Sequence, residues 1–448
     1  MRRLFGTDGV RGVAGEALTA ELALRLGRAV TREAGARADA AAARGSAPVR
    51  VLVIRDTRAS GDMLESALAA GVASAGGEVL LGGVLPTPAA PLLLGRYGFD
   101  VAAVISASHN PYRDNGIKFF GADGFKLSDA TELAIERRLE DGRAGVSGRI
   151  GRIRTLHGTH EDYLRALHSR FADLDLDGLD VVLDCANGST HRAAPEIFRR
   201  LGAEPVVIAD APDGRNINAG CGSTHVEALA EIVVAGGHAL GFAFDGDGDR
   251  LLAVDRLGAV VDGDELIALI ALHLRRRGLL DGNGVAVTVM TNYGFFGAME
   301  AAGVRTATTR VGDRYVLEEL RARGWSLGGE QSGHIIDMGF APSGDGIAAA
   351  LLTLEALAGS DLADRDAMTK LPQRLVNVPV TDRDGVMAAA ELTDATRAAD
   401  GELAGRGRVL VRSSGTEQLV RVMVEAPTPE ETDAVCARLV AVVERLSA

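Results

Sequence analysis

Three carboxylates dominate the chemistry open to this chain of 448 residues. Asp245, Asp247 and Asp249 alternate with glycines directly after the apolar run Ala239 to Phe244. Glycine lets the backbone turn tightly, so the three side chains can converge on one point. Left alone, negative charges a few ångströms apart repel strongly. A hard divalent cation with oxygen ligands resolves that repulsion, and Mg²⁺ fits best. An EF-hand loop is excluded, because its sixth position requires glycine and its twelfth glutamate; here they are Arg250 and Arg256. A phosphotransferase of the haloacid-dehalogenase type stays open, with Asp245 as the nucleophile rather than a ligand. Its fifth position is normally Thr or Val, and here it is Asp249.

Three further clusters carry reactive groups. Ser108-His109-Asn110-Pro111 ends the apolar run Val101 to Ile105. Such residues are common in strand-end turns, no G-x-S-x-G surrounds Ser108, and His109 adjoins it too closely in sequence to serve easily as its base. Lys118, taken alone, reads as a surface lysine. Glu330-Gln331-Ser332-Gly333-His334 offers a carboxylate, an amide, a hydroxyl and an imidazole within five residues, a density suited to a polyhydroxylated ligand such as a sugar. Arg412-Ser413-Ser414-Gly415-Thr416, with Arg421 nearby, sets guanidinium, hydroxyl and loop N–H donors at spacings suited to phosphate. It is not a P-loop, because no Gly-Lys-Ser/Thr follows.

The elements that must position these groups alternate between strand and helix, an α/β pattern. Phe5 to Gly12 reads as an N-terminal loop, Leu18 to Ala34 as an amphipathic helix capped by Thr19, and the Ala-rich stretch Ala34 to Pro48 as a helix end and exposed loop. Then a pattern recurs three times: strand, helix, strand, helix, and a third strand with polar residues at its end. The first strands are Val49 to Ile54, Val181 to Asp184 and Val285 to Met290. The second follow Gly76-Gly77, Gly202-Ala203 and Gly303. The third run into the Ser108, Asp245 and Glu330 clusters. Ligands of open α/β sheets lie beyond the carboxyl ends of strands, so three polar loops suggest one site built between three units. The last stretch is an α+β unit: strands Pro372 to Val380, Val409 to Ser413 and Leu419 to Ala426, then a helix from Pro429 to Leu446 capped near Thr428.

Composition narrows the classes. The length suggests about three domains, and 47% hydrophobic with 24% charged residues is the mix of a globular chain. Glycine, at 56 residues, matches many tight strand–helix turns. A net charge of −13 excludes sequence-independent nucleic-acid binding, so an anionic ligand must be gripped by local arginines and backbone N–H groups. Cys185, Cys221 and Cys436 are scattered, which argues against a disulfide framework or a zinc site and for a reducing compartment. No apolar stretch follows Met1-Arg2-Arg3, and the greasiest run, Leu266 to Leu274, contains His273 and is half a membrane span at best. The expectation is a cytosolic protein without a membrane partner.

In this order F-G-T-D-G-V-R-G, S-A-S-H-N-P-Y-R-D-N-G-I-K-F-F, D-G-D-G-D-R, G-E-Q-S-G-H and R-S-S-G-T-E, spanning Phe5 to Arg421, resemble the α-D-phosphohexomutase superfamily. The octapeptide, the run around Ser108 and Gln331 resemble its branch acting on glucosamine phosphates, which feeds amino-sugar nucleotide and cell-wall precursor synthesis; a glucose or mannose phosphate mutase shares the machinery. A silent sugar-phosphate-binding relative is the reading from another class, and the intact Ser108 argues against it. The resemblance implies three similar α/β domains with mixed sheets, at 1–155, 156–255 and 256–370, and a C-terminal α+β phosphate-binding domain at 371–448, around a central cleft. A homodimer is compatible with it. It implies that Ser108 carries a phosphoryl group whose oxygen joins Asp245, Asp247 and Asp249 around Mg²⁺, with a hexosamine or hexose 1,6-bisphosphate as intermediate and activator. Arg250 belongs to the same site. Glu330 and Ser332 bind sugar hydroxyls with His334 close by, and Arg412, Ser414, Gly415, Thr416 and Arg421 hold the phosphate not being transferred. Arg11, His109 and Lys118 match positions near the reacting oxygens, with Lys118 the candidate for assisting proton transfer.

Overall fold

The computed structural model describes residues 4–6, 8–40, 47–140, 149–414 and 417–447. The chain forms two compact units, Met1–Val289 with Ala307–Arg365, and Met290–Thr306 with Asp366–Ala448.

The first sheet holds β1 (Val10–Val13), β2 (Arg50–Arg55), β3 (Glu78–Val84), β4 (Val101–Ile105), β5 (Asp114–Gly121) and β6 (Ile153–Thr155), in the order β1-β5-β4-β2-β3-β6. The second holds β7 (Val181–Asp184), β8 (Val206–Ile208), β9 (Leu240–Phe244), β10 (Leu251–Asp255) and β11 (Val260–Val261), in the order β11-β10-β9-β7-β8. The third holds β12 (Gly284–Thr288), β13 (Arg305–Thr309), β14 (Leu327–Gly329) and β15 (Ile335–Asp337), in the order β13-β12-β14-β15. One rule underlies all three: the first strand of the repeat lies between the second and the third, and a fourth pairs antiparallel with the third.

The repeat read from the sequence is therefore present, with the fourth strand added. Its consequence is that every polar cluster closes a hairpin. Ile105 faces Ile117 across the first, Phe244 faces Leu251 across the second and Gly329 faces Ile335 across the third. Residues 106–116, 245–250 and 330–334 are thus anchored by a strand at each end.

The central strands are buried on both faces, which is why they read as unbroken apolar runs. Val51, Leu52, Val53 and Ile54 of β2 are all fully buried. Helices Ala20–Ala40, Gly61–Ser74 and Asp129–Glu140 contribute Leu26, Leu64, Leu68, Val72 and Ile135 to one core with Val51, Val53, Val101 and Ala103. Two expectations need correction. The N-terminal loop contains β1, which pairs antiparallel with the start of β5; a peptide edge offers Val10–Val13 more hydrogen bonds than solvent-facing loop would. The first helix starts after Thr19, whose Oγ1 accepts from Leu22 N–H at 3.2 Å, but runs on to Ala40 because alanine favours helix. The rest of the Ala-rich stretch, 41–46, lies outside the described residues.

In the second unit β16 (Gln373–Pro379), β17 (Arg408–Ser413) and β18 (Leu419–Glu425) form an antiparallel sheet in the order β16-β18-β17. Helix Pro429–Ser447 starts where expected, with Thr428 Oγ1 accepting from Glu431 N–H at 3.2 Å. Helices Arg383–Ala388 and Ala390–Leu403 complete the unit. The segment Met290–Thr306 packs with this unit. The tie is the fully buried Glu425 carboxylate, which accepts from Tyr293 N–H at 2.9 Å, Arg408 Nε at 2.7 Å and Gln373 Nε2 at 2.8 Å. Among the described residues no helix is long and apolar enough to cross a membrane, and the three cysteines are buried and unpaired.

Removing one partner of a buried ion pair strands the other charge. Glu425→Ala should therefore lower stability to urea by about 3 kcal/mol, since Arg408 keeps some access to water. A loss below about 0.5 kcal/mol, the scale of ordinary surface changes, would show that Glu425 does not tie these segments together.

Candidate active site

Asp245, Asp247 and Asp249 are buried, and one oxygen from each lies within 4.8 Å of the others. Gly246 makes the approach of the first two hairpins possible: a Cβ there would stand 2.6 Å from Ser108 O. Ser108 Oγ donates to Asp245 Oδ2 at 2.5 Å, and Arg250 N–H donates to Asp245 Oδ1 at 3.2 Å. Thr87 Oγ1 and Lys118 Nζ donate to Asp247 Oδ2 at 2.6 and 2.7 Å, and Lys118 also reaches Asp249 Oδ2 at 3.3 Å. Sequence alone would leave Lys118 on the surface. It is buried because β5 aims it, from opposite Val104, at the carboxylates.

The electrostatics follow from this packing. Burial, then the charges of Asp247 and Asp249, push the Asp245 carboxyl well above the usual carboxylate range. Burial acts the same way on Asp249, but nearby cations, Lys118 foremost, outweigh it and hold that carboxyl low. Burial also opposes the charge of Lys118, yet Asp247, Asp8 and Asp249 raise its pKa well above normal, so it stays an ammonium. His109 is pushed down to about 4 by burial, Arg250 and Arg11, leaving a neutral ring at neutral pH. Its Nδ1 accepts from Arg250 Nη1 at 3.0 Å, so the lone pair is not free for Ser108 Oγ, 3.3 Å away.

Two buried acceptors, Asp247 Oδ1 and Asp249 Oδ1, have no hydrogen-bond partner. Orphaned carboxylate oxygens beside an overcrowded Asp245 are the donor set that a hard cation needs. The triad could bind a metal ion.

The third hairpin meets the second directly. Gly333 adopts φ +88°, and a Cβ there would stand 2.0 Å from Leu251 O. His334 Nδ1 faces Asp249 Oδ1 at 3.5 Å, and its Nε2 accepts from Gly344 N–H at 3.1 Å. Glu330 Oε1 accepts from Gly312 N–H at 2.9 Å, and Ser332 is exposed. Gln331 braces the loop from outside, donating to Asp262 Oδ2 at 3.2 Å. Arg11 is exposed and pairs with Asp8.

Motif reading missed a bridge between the first and third repeats. Lys126 Nζ lies 2.5 Å from Asp8 Oδ1 and 2.6 Å from Asp313 Oδ2. Asp8 is 3.9 Å from Lys118, and Asp313 is 3.7 Å from His334 Nε2. Asp8 stood inside the quoted octapeptide, which was the available signal; Lys126 and Asp313 stand in no motif and meet only through the fold.

The phosphate-type loop belongs to the second unit. Arg412 and Arg421 are directly opposed on β17 and β18. Like charges so placed repel; burial, then Arg421, depresses the Arg412 pKa, and Arg421 Nε is buried without a hydrogen-bond partner. An anion would satisfy both. Arg383 Nη1 donates to Ser414 O at 2.8 Å, a third arginine that the motif did not include. Gly415 and Thr416 lie outside the described residues.

Four models of the phosphoglucomutase/phosphomannomutase family match the chain: alpha/beta/alpha domain I over residues 2–145, domain II over 161–258, domain III over 262–375 and the C-terminal domain over 375–442. A phosphoglucosamine mutase of Moorella thermoacetica is 51% identical over 448 residues, 98% of this chain and 98% of that one. A phosphoglucomutase/phosphomannomutase family protein from Burkholderia thailandensis has a solved structure with a TM-score of 0.80 at 25% identity, covering 98% of this chain and 96% of that one. Aspergillus fumigatus N-acetylphosphoglucosamine mutase, solved with GlcNAc-6P and magnesium, shares the fold with a TM-score of 0.70 at 18% identity, covering 99% and 96%.

A ligand that binds only the folded chain raises its stability. Millimolar Mg²⁺ should raise the melting temperature, EDTA should reverse the rise, and Asp247→Asn should shrink it. Equal shifts in wild type and Asp247→Asn would remove the triad as the cation site.

Proposed function

Because the chain belongs to the phosphoglucomutase/phosphomannomutase family, we propose that it interconverts glucosamine 6-phosphate and glucosamine 1-phosphate through a phosphorylated Ser108 and a glucosamine 1,6-bisphosphate. The substrate follows the phosphoglucosamine mutases that are about half identical over the full chain. The observation that carries the chemistry is the seat of Ser108, a nucleophile 2.5 Å from Asp245 within a buried acidic triad.

In the forward direction phosphoserine 108 gives its phosphoryl group to O1 of glucosamine 6-phosphate. The O1–P bond forms as the Oγ–P bond breaks, and the proton lost from the O1 hydroxyl is balanced by the one gained at the departing Ser108 Oγ. The bisphosphate turns end over end, and its 6-phosphate returns to Ser108, leaving glucosamine 1-phosphate. Mg²⁺ held by Asp245, Asp247, Asp249 and the phosphoserine would supply charge neutralisation, the main service a protein gives to phosphoryl transfer. Arg250 adds a second cation, with Nε still free to donate. Lys118, an ammonium between Asp247 and Asp249, adds positive charge beside the reacting oxygens and is the group that can give a proton to the departing oxygen. Glu330, with Gly312 on one oxygen, keeps the other for a sugar hydroxyl, Ser332 adds an exposed hydroxyl, and His334 borders the same loop. Arg412, Ser414, Gly415, Thr416 and Arg421 grip the phosphate that is not moving, while His109 and Arg11 flank the reacting end.

Incubation with labelled glucosamine 1,6-bisphosphate should leave an acid-stable phosphoester on the wild type and none on Ser108→Ala; a hydroxylamine-labile adduct at Asp245 would overturn the assignment. With phosphorylated enzyme, kcat/KM for glucosamine 6-phosphate should exceed that for glucose 6-phosphate by about ten- to a hundredfold, the range for near-isosteres. Mannose 6-phosphate should be poorer still. If glucose or mannose phosphate leads, the substrate changes and the chemistry stands.

A further inference from the structure

We propose that Arg58 is a positioning residue for phosphoryl transfer, holding the backbone that carries Ser108 in the conformation which aims Oγ at the acidic triad. The proposal rests on Ser108 as phosphoryl carrier.

Arg58 is fully buried, and each of its five N–H donors has a partner. Nε donates to Asp56 Oδ2 at 2.8 Å. Nη1 donates to the carbonyls of Pro111 and Asp114 at 2.5 and 3.1 Å. Nη2 donates to the carbonyls of Ser108 and Asn110, both at 2.8 Å. Four of the five bonds therefore end on the backbone of the nucleophile's own loop. Asp56 closes the circuit from the other side: Ser106 Oγ donates to Asp56 Oδ2 at 2.6 Å and accepts from Ser108 N–H at 3.0 Å.

The conformation so held is one that serine avoids. Ser108 has φ +53°, in the left-handed region where a Cβ crowds the following carbonyl. Such residues persist when their surroundings over-determine them, and they gather at functional sites. Here Ser106 fixes the amide of Ser108, and Arg58 fixes its carbonyl. Little beyond χ1 is left to place Oγ. Asn218, between β8 and the helix Glu227–Gly236 of the second repeat, reinforces the same two carbonyls: its Nδ2 donates to Ser108 O at 2.9 Å and Asn110 O at 3.0 Å. The grip thus spans two repeats, and it places the loop beside the hairpin that bears the aspartates.

The planar fork matters as well as the charge. Lysine carries three donors on one nitrogen and cannot reach four carbonyls spread over Ser108 to Asp114. Arg58→Lys keeps the cation beside Asp56 and loses the fork. A misplacement of about 1 Å at a reacting centre costs on the order of a hundredfold in rate. Arg58→Lys should therefore lower kcat, and the rate of phosphoryl uptake from glucosamine 1,6-bisphosphate, by about a hundredfold, with KM for glucosamine 6-phosphate changed by no more than about twofold. Asn218→Gly, which accepts the φ of +57° at that position and leaves Arg58 in place, should lose about tenfold in both rates, the scale of one hydrogen-bonding group. Rates are to be expressed per folded molecule, from unfolding curves and the stoichiometry of phosphorylation. A purely structural Arg58 predicts lower melting temperatures with wild-type kcat and uptake per folded molecule, and that result overturns the proposal. If Arg58→Lys does not fold, Asn218→Gly decides between the same two outcomes. If the wild type takes up no phosphoryl group at Ser108, the functional reading fails first and the proposal falls with it.

Discussion

Three carboxylates buried within 4.8 Å of one another are the constraint on which the site depends. No apolar core accepts such a group without compensation. Lys118 is drawn out of solvent to lie against Asp247 and Asp249, Arg250 turns its amide to Asp245, and Thr87 and Ser108 spend their hydroxyl protons on the same cluster. Even so, two oxygens remain without a hydrogen-bond partner. The unfinished coordination is the chemically informative part, because it marks where a cation belongs and places the serine hydroxyl beside it. The strained backbone of Ser108 is a second cost borne at the same point.

The repeated sheet makes this arrangement possible. In each repeat the third strand turns through a polar loop into an antiparallel fourth, so each loop is held at both ends. Hairpins of this kind can approach closely where glycine removes the Cβ, as Gly246 does under Ser108 and Gly333 does against Leu251. Lys126, between Asp8 and Asp313, joins the first and third repeats by a half-buried cation. The second unit carries its own electrostatic tension in the opposed Arg412 and Arg421, which an anion would relieve.

Much of this was legible in the residues. Alternating Asp and Gly after an apolar strand encodes carboxylate convergence locally, and the strand–helix repeat is written in hydrophobic runs and small-residue turns. The fourth strands were missed because Asp114–Gly121, Leu251–Asp255 and Ile335–Asp337 follow directly on motifs that draw attention as loops. The packing of Met290–Thr306 against the C-terminal unit could not be read, since it depends on partners such as Leu371, Arg408 and Glu425 that only the fold brings near. Lys118, Lys126 and Asp313 illustrate the same limit: a lysine's burial is decided by partners that only the fold assembles. Motifs reveal groups whose function is local, whereas bridging and positioning residues are visible only in three dimensions.

The central claim is that the phosphoryl group on Ser108 travels to the sugar and is replaced by another from the same sugar. A single-turnover chase measures this directly: enzyme carrying a labelled phosphoryl group is mixed with unlabelled glucosamine 6-phosphate and quenched over time. The account predicts label first at C1 of a bisphosphate and then in glucosamine 1-phosphate, while the enzyme becomes rephosphorylated without label. Label that stays on the protein as unlabelled product accumulates, or that leaves as inorganic phosphate in step with turnover, would contradict it.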